Sequence, residues 1–148
     1  MTKFLATPNG QKLAYSFTKG TGPTVVFLGG FKSNMEGSKA IFLEKWAKKR
    51  NRSFLRFDYS GHGQSSGDFL NLGIGDWCSD AKQVIELAGN NGIILIGSSM
   101  GGWISLLLSR DLGSRLKGLI TIAAAPDFTE DSMWKNFTED QKKEVLNT

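Results

Sequence analysis

The chain has 148 residues, 40% of them hydrophobic and 22% charged, which fits one soluble domain with one core and excludes a disordered chain. A single Cys excludes a disulfide framework and a multi-cysteine metal site, and the net charge of +4 is modest. Only one histidine, His62, is available to any mechanism that needs an imidazole base.

The elements follow in chain order. Phe4–Thr7 and Lys12–Thr18 flank Pro8-Asn9-Gly10, which reads as a hairpin because Asn-Gly tolerates positive φ. Thr24–Leu28 is a continuous apolar run, as expected for a strand covered on both faces. Ser38–Lys49 reads as a helix with Ile41, Phe42, Leu43, Trp46 and Ala47 on its buried side. The basic run Lys48, Lys49, Arg50 and Arg52 falls at that helix's C-terminus, where cations complement the dipole. No aromatic or Gly-rich motif accompanies it, so no nucleic-acid partner is expected. Ser53–Phe57 is the next strand.

Asp76 is placed to cap the following helix, whose apolar positions Trp77, Cys78, Ala81, Val84, Ile85 and Ala88 form a helical stripe. Cys78 lies on that stripe and reads as core rather than as a reactive thiol. Ile93–Ile96 is a strand. Met100–Arg110 is helical and apolar on nearly all sides, so it is expected to be buried. Leu116–Ala123 is a further strand. Thr138-Glu139-Asp140-Gln141 is a capping box that opens a last helix. This alternation predicts an α/β fold with a mainly parallel, doubly wound sheet. No apolar run is long enough to span a bilayer, and no targeting segment is evident, so a cytoplasmic protein is expected.

G-x-S-x-G marks catalytic serines on strand-to-helix turns. It occurs twice, as Gly63-Gln64-Ser65-Ser66-Gly67 and as Gly97-Ser98-Ser99-Met100-Gly101. Only the second follows a strand directly and runs straight into a helix. Ser99, flanked by glycine at −2 and +2, is therefore the candidate nucleophile. An acyl-transfer serine also needs two backbone N–H groups aimed at the developing oxyanion. Met100 N–H, at the helix start, and Phe31 N–H, in the loop Gly29–Asn34 after the first long strand, are the candidates. A tight strand exit with no catalytic role is the plainer alternative for that loop.

Together these segments resemble the α/β-hydrolase fold. More narrowly, Gly30-Phe31-Lys32-Ser33-Asn34-Met35, Phe57-Asp58-Tyr59-Ser60-Gly61-His62-Gly63, Gly97 to Trp103 and Ala123 to Phe128 are similar to bacterial serine hydrolases. Those hydrolases are related to the mitochondrial palmitoyl-protein thioesterase, also described as mycophenolic acid acyl-glucuronide esterase. The resemblance implies esterase or thioesterase chemistry through an acyl-enzyme on Ser99. It implies a small acyl ester or thioester substrate and no metal or organic cofactor.

It also implies that residues 1–148 form one incomplete domain, cut after about strand six, with 128–148 opening the lid region. In the family the order is Ser, acid, His. No His follows Ser99 here, so this form is expected to be inactive or weakly active. His62 reads as a hydrogen-bonded turn residue, Asp58 as an Asx-turn residue, and Asp127 as a candidate acid or a helix cap. Phe31, Trp103 and Trp134 are candidates to line an acyl pocket or simply to pack. The alternative reading is a non-catalytic hydrolase-fold remnant used in binding or assembly. On that reading strand 116–123, apolar and without edge charges, would mediate self-association.

Overall fold

The computed structural model describes residues 1–126 and 134–147. Asp127, the candidate acid, lies outside them. Ten elements organise the described chain. Strands β1 (Lys3–Ala6), β2 (Lys12–Thr18) and β3 (Thr21–Leu28) precede helix α1 (Ser38–Lys49) and strand β4 (Arg52–Phe57). Helix α2 (Ile74–Ile85), strand β5 (Ile93–Ser98), helix α3 (Met100–Leu112), strand β6 (Leu116–Ile122) and helix α4 (Glu139–Leu146) follow.

The strands form a single six-stranded sheet in the order β1-β2-β4-β3-β5-β6. β1 with β2 and β2 with β4 pair antiparallel, whereas β4, β3, β5 and β6 run parallel. The mainly parallel sheet is as expected. The hairpin turns where the sequence placed it, with Gly10 at φ 84°.

Side-chain alternation sends β3 into both faces of the sheet. Val26 and Leu28 join Leu55, Leu95, Val84 and Ile104 on the side covered by α2 and α3. Val25 and Phe27 join Phe54, Ile96, Ala40 and Ala47 on the side covered by α1. A strand covered twice must be apolar throughout, which is what the run Thr24–Leu28 encodes.

α1 departs from the expected facing. Its buried residues are Ala40, Glu44 and Ala47, while Phe42 is 69% exposed and Trp46 is exposed. The reason lies on β4. Arg56 shares the α1 face with Phe54 and is itself buried, so α1 must present a carboxylate there. The Arg56 guanidinium donates from Nε to Glu44 Oε2 at 2.6 Å. Its Nη1 donates to Glu36 Oε1 at 3.2 Å and to the Met35 carbonyl at 3.0 Å. Small residues one turn either side of Glu44 let the helix approach.

The other helices differ in smaller ways. α2 begins at Ile74, two residues before Asp76. That carboxylate accepts from Gly73 N–H at 2.9 Å from the third helical position, rather than standing at the cap. Cys78 is half-buried against the core instead of enclosed by it, and burial pushes its thiol up. α3 buries Met100, Ile104 and Leu108 but leaves Leu106 exposed, because the sheet and α2 cover only part of its surface. α4 starts with the reciprocal capping bonds expected of Thr138 and Gln141.

Burial works to raise the Glu44 carboxyl, yet the hydrogen bonds and charges of Arg56 and Lys48 prevail and hold it below its ordinary value of 4.5. The stabilisation from this pair is therefore complete above that ordinary value. It fades as pH falls through the lowered folded-state value. Glu44→Gln, which keeps an acceptor for Arg56 but removes the charge that compensates it, is expected to cost about 3 kcal/mol in urea unfolding at neutral pH. The difference from wild type should shrink in acid.

Candidate active site

Strand β5 runs straight into α3 through Ser99, and the backbone there is unusual. Ser99 has φ 55° and ψ −116°, a region that side-chain-bearing residues rarely occupy. The turn is held from several directions. Ser99 N–H donates to the Ile122 carbonyl at 2.9 Å, and the Ser99 carbonyl accepts from Gly102 N–H at 2.9 Å and Ala125 N–H at 3.2 Å. The end of β6 thus fastens the turn, while the Ser99 side chain remains exposed.

The flanking glycines sit where no Cβ fits. One added at Gly97 would lie 2.3 Å from the Gly101 carbonyl oxygen, and one at Gly101 would lie 2.0 Å from the Leu28 carbonyl oxygen. The N-terminus of α3 therefore packs directly on the exit of β3. That contact brings the loop after β3 alongside Ser99. A Cβ at Gly30 would stand 3.6 Å from the Ser99 Cβ. Met100 N–H, in the first turn of α3, belongs to the donors that find no acceptor within a helix. The structure thus brings Ser99, Met100 and the Gly30 backbone together at one end of the parallel strands.

The loop 29–37 is tied down by the segment that leaves β4. Tyr59 Oη donates to the Gly29 carbonyl at 3.0 Å, Lys32 N–H donates to His62 Nε2 at 3.1 Å, and Met35 N–H donates to Asp58 Oδ1 at 2.7 Å. Arg56 holds the Met35 carbonyl, as described above. Asp58 is therefore more than an Asx-turn residue, since its second oxygen accepts from Gln64 N–H at 2.9 Å. The links to loop 29–37 join residues more than twenty positions apart, and no spacing rule in the sequence signals them. Burial pushes the Tyr59 phenol up. Burial also raises the Asp80 carboxyl, against the two hydrogen bonds it accepts from the Ser60 hydroxyl and N–H.

The other G-x-S-x-G copy is occupied structurally. Ser65 Oγ donates to the Asp58 carbonyl at 2.7 Å and accepts from Ala14 N–H at 2.8 Å. Ser66 Oγ donates to Gln11 Oε1 and accepts from Lys12 N–H, both at 2.7 Å. These bonds bind the loop after β4 to the strand β2.

A cavity of about 310 Å³ is lined by Phe31, Phe69, Leu72, Ile74, Trp77 and Trp103, among others. Two of the three aromatic candidates, Phe31 and Trp103, are among its lining residues. Trp134 is not, and instead packs on Phe137 at 6.4 Å between ring centroids. Phe69, Leu72 and Ile74 were not anticipated, because they precede the periodic apolar stripe by which α2 is read in the sequence. The rings of Phe31, Phe69, Trp77 and His62 form one cluster, with Phe69 stacked on Trp77 at 5.7 Å.

Residues 21–146 match the family described as serine aminopeptidase, S33. The chain belongs to this hydrolase family. Its relatives include the mitochondrial palmitoyl-protein thioesterase ABHD10 of Rattus norvegicus, 38% identical over 124 residues, which cover 84% of this chain and 42% of that protein. The Homo sapiens counterpart is 35% identical over 142 residues, covering 96% of this chain and 46% of that protein. Among solved structures, the mouse α/β hydrolase domain-containing protein 10 superposes with a TM-score of 0.90 at 33% identity, covering 99% of this chain and 59% of that one. The family member described here thus spans less than half the length of these curated relatives. The α/β-hydrolase fold expected from the motifs is shown for the portion present.

Two predictions follow from the geometry of the elbow. Ser99→Gly is expected to raise stability by about 1 kcal/mol, since glycine relieves the backbone strain that serine bears. Gly101→Ala is expected to lose at least about 1–3 kcal/mol by overpacking against backbone. Gly75→Ala, where a Cβ meets nothing within 4 Å, is expected to be neutral or stabilising. Urea titrations of the three variants check both.

Proposed function

We propose that this chain carries the nucleophile half of a serine hydrolase that acts on carboxylic esters or thioesters. The observation that carries this reading is Ser99 itself. It is strained and exposed between β5 and α3, with the backbone of Gly30 beside it. In the proposed reaction Ser99 Oγ attacks the carbonyl carbon. The N–H groups of Met100 and Phe31 hold the oxyanion, and the acyl portion lies in the apolar cavity lined by Phe31, Phe69, Trp77 and Trp103.

His62 does not serve as base on this reading. Both of its ring nitrogens are engaged elsewhere, with Ser60 and Lys32. Asp127 remains a candidate acid by sequence only. For residues 1–148 by themselves, which hold no other histidine, slow capture by Ser99 and low turnover are expected. A hydrolase lacking a triad member retains a residual rate about 10³–10⁴-fold over water. Residues 128–148, of which 134–147 are described, would open the lid region. The half-buried thiol of Cys78 suits a reducing compartment such as the cytoplasm, although the mammalian relatives named above are mitochondrial.

A fluorophosphonate probe tests the reading. Slow labelling that maps to Ser99 and disappears in Ser99→Ala is the expected result. Absence of labelling in folded protein would assign the chain to a binding role.

A second reading, self-association, is favoured by the exposed edge of the described sheet. Ile120 on β6 is 52% exposed, and Ile122 borders a surface groove with Phe42 and Leu43. The strand is less bare than expected, because Lys117 lies on it with its aliphatic stem close to Gly92. A second copy pairing its own β6 along this edge would cover these residues. Light scattering should then give a dimer mass that Ile120→Lys reduces to a monomer. A wild-type monomer at all concentrations would sink this reading.

A further inference from the structure

The histidine in the turn after β4 has no part in the chemistry proposed above, yet it is 4% exposed and fully engaged. Its ring lies edge-on to Tyr59, Phe69 and Trp77, with centroid separations of 5.5, 5.3 and 5.1 Å. Polar partners occupy both nitrogens. Nδ1 lies 3.0 Å from the Ser60 carbonyl oxygen, and Nε2 lies 3.1 Å from the Lys32 backbone nitrogen.

Those partners assign the proton. A carbonyl oxygen can only accept, so Nδ1 carries the hydrogen. A backbone N–H can only donate, so Nε2 presents its lone pair. The Ser60 carbonyl takes a second bond, from Trp77 Nε1 at 3.0 Å, which helps hold in place the acceptor that Nδ1 faces. The ring is thereby held in one orientation and one tautomer.

What Nε2 holds is the strained part of the loop. Lys32 has φ 59°, a left-handed conformation that residues other than glycine adopt uncommonly. It follows Phe31 and Gly30 directly, and Gly30 is the residue whose backbone approaches Ser99. We propose that His62 is a positioning residue. As a neutral imidazole protonated on Nδ1, it fixes the left-handed turn at Lys32 and so sets the distance of the Gly30-Phe31 backbone from Ser99. As far as Ser99 chemistry is concerned, this rests on the function proposed above. The clamp itself does not.

The test begins with the ¹⁵N-labelled wild-type chain, whose single histidine yields one pair of ring-nitrogen signals. A neutral Nδ1–H tautomer, together with a through-hydrogen-bond coupling from the Lys32 amide to Nε2, is the expected result. An Nε2–H tautomer, or a Lys32 amide that exchanges as fast as an exposed one, overturns the proposal. These measurements need no variant and stand whether or not a variant folds.

The second arm compares His62→Gln, which retains an acceptor, with His62→Leu, which retains only bulk. Lys32 amide exchange is expected to be slowest in wild type, intermediate in Gln and fastest in Leu. Fluorophosphonate capture by Ser99 is expected to fall by about 10²-fold in Leu, with partial rescue in Gln. Equal loss in both variants would leave His62 a packing residue and overturn the proposal. Should wild type capture no phosphonate, the reading of Ser99 fails while the tautomer and the Lys32 amide still decide the clamp.

Discussion

The loop between β3 and α1 has no secondary structure of its own, and its shape is imposed by the segment that leaves β4. Arg56 bonds it twice, at the Met35 carbonyl and the Glu36 carboxylate, while Asp58, Tyr59 and His62 bond it at Met35, Gly29 and Lys32 respectively. Most of these bonds are buried or partly so, where an unmade partner costs the full desolvation of the group. The cost makes the arrangement cooperative, since losing one bond strands polar groups on both segments. Everything near Ser99 depends on this brace, because the backbone of the braced loop forms one wall of the site.

The other wall is built by close approach rather than by hydrogen bonding. α3 can start against the exit of β3 only because Gly97 and Gly101 present no side chain. The resulting turn forces Ser99 into a strained conformation, and the backbone bonds to Ile122 and Ala125 hold it there. Stability elsewhere in the sheet offsets that strain. The same contacts leave the serine side chain exposed while the residue after it is fully buried, so position along the turn decides which of two neighbours is accessible.

The face covered by α1 follows a different logic. A buried arginine on β4 draws Glu44 inward, and the helix rotates to supply it. Phe42 and Trp46 then turn outward, where Arg50 lies over the Trp46 ring at 5.8 Å. The exposed apolar side chains on this side continue toward Ile122 on β6. The helix thus satisfies a charge at the expense of exposing apolar surface, which is the sign expected when an unpaired buried guanidinium is the costlier alternative.

Local patterns in the chain were enough for the elements and their order. The Asn-Gly turn, the doubly covered run Thr24–Leu28, the stripe of α2 and the capping box of α4 each depend on neighbours within a few residues. Their physics is complete in a short window. The setting of Gly97–Gly101, strand then turn then helix, was legible for the same reason and singled out Ser99 from its duplicate at 63–67. Contacts between distant segments were not legible. Hydrophobic periodicity treats Phe42 and Glu44 by residue type alone, so it could not register that Arg56 would demand a carboxylate. Nor could it show that Asp58 reaches Met35, that Phe69 and Leu72 line a cavity, or that His62 accepts from Lys32. Sequence alone determined the α/β alternation and the position of the strained serine, because both are local. Only the tertiary structure decided which face of α1 is buried and what holds the loop beside Ser99, because burial and pairing depend on what the fold brings alongside.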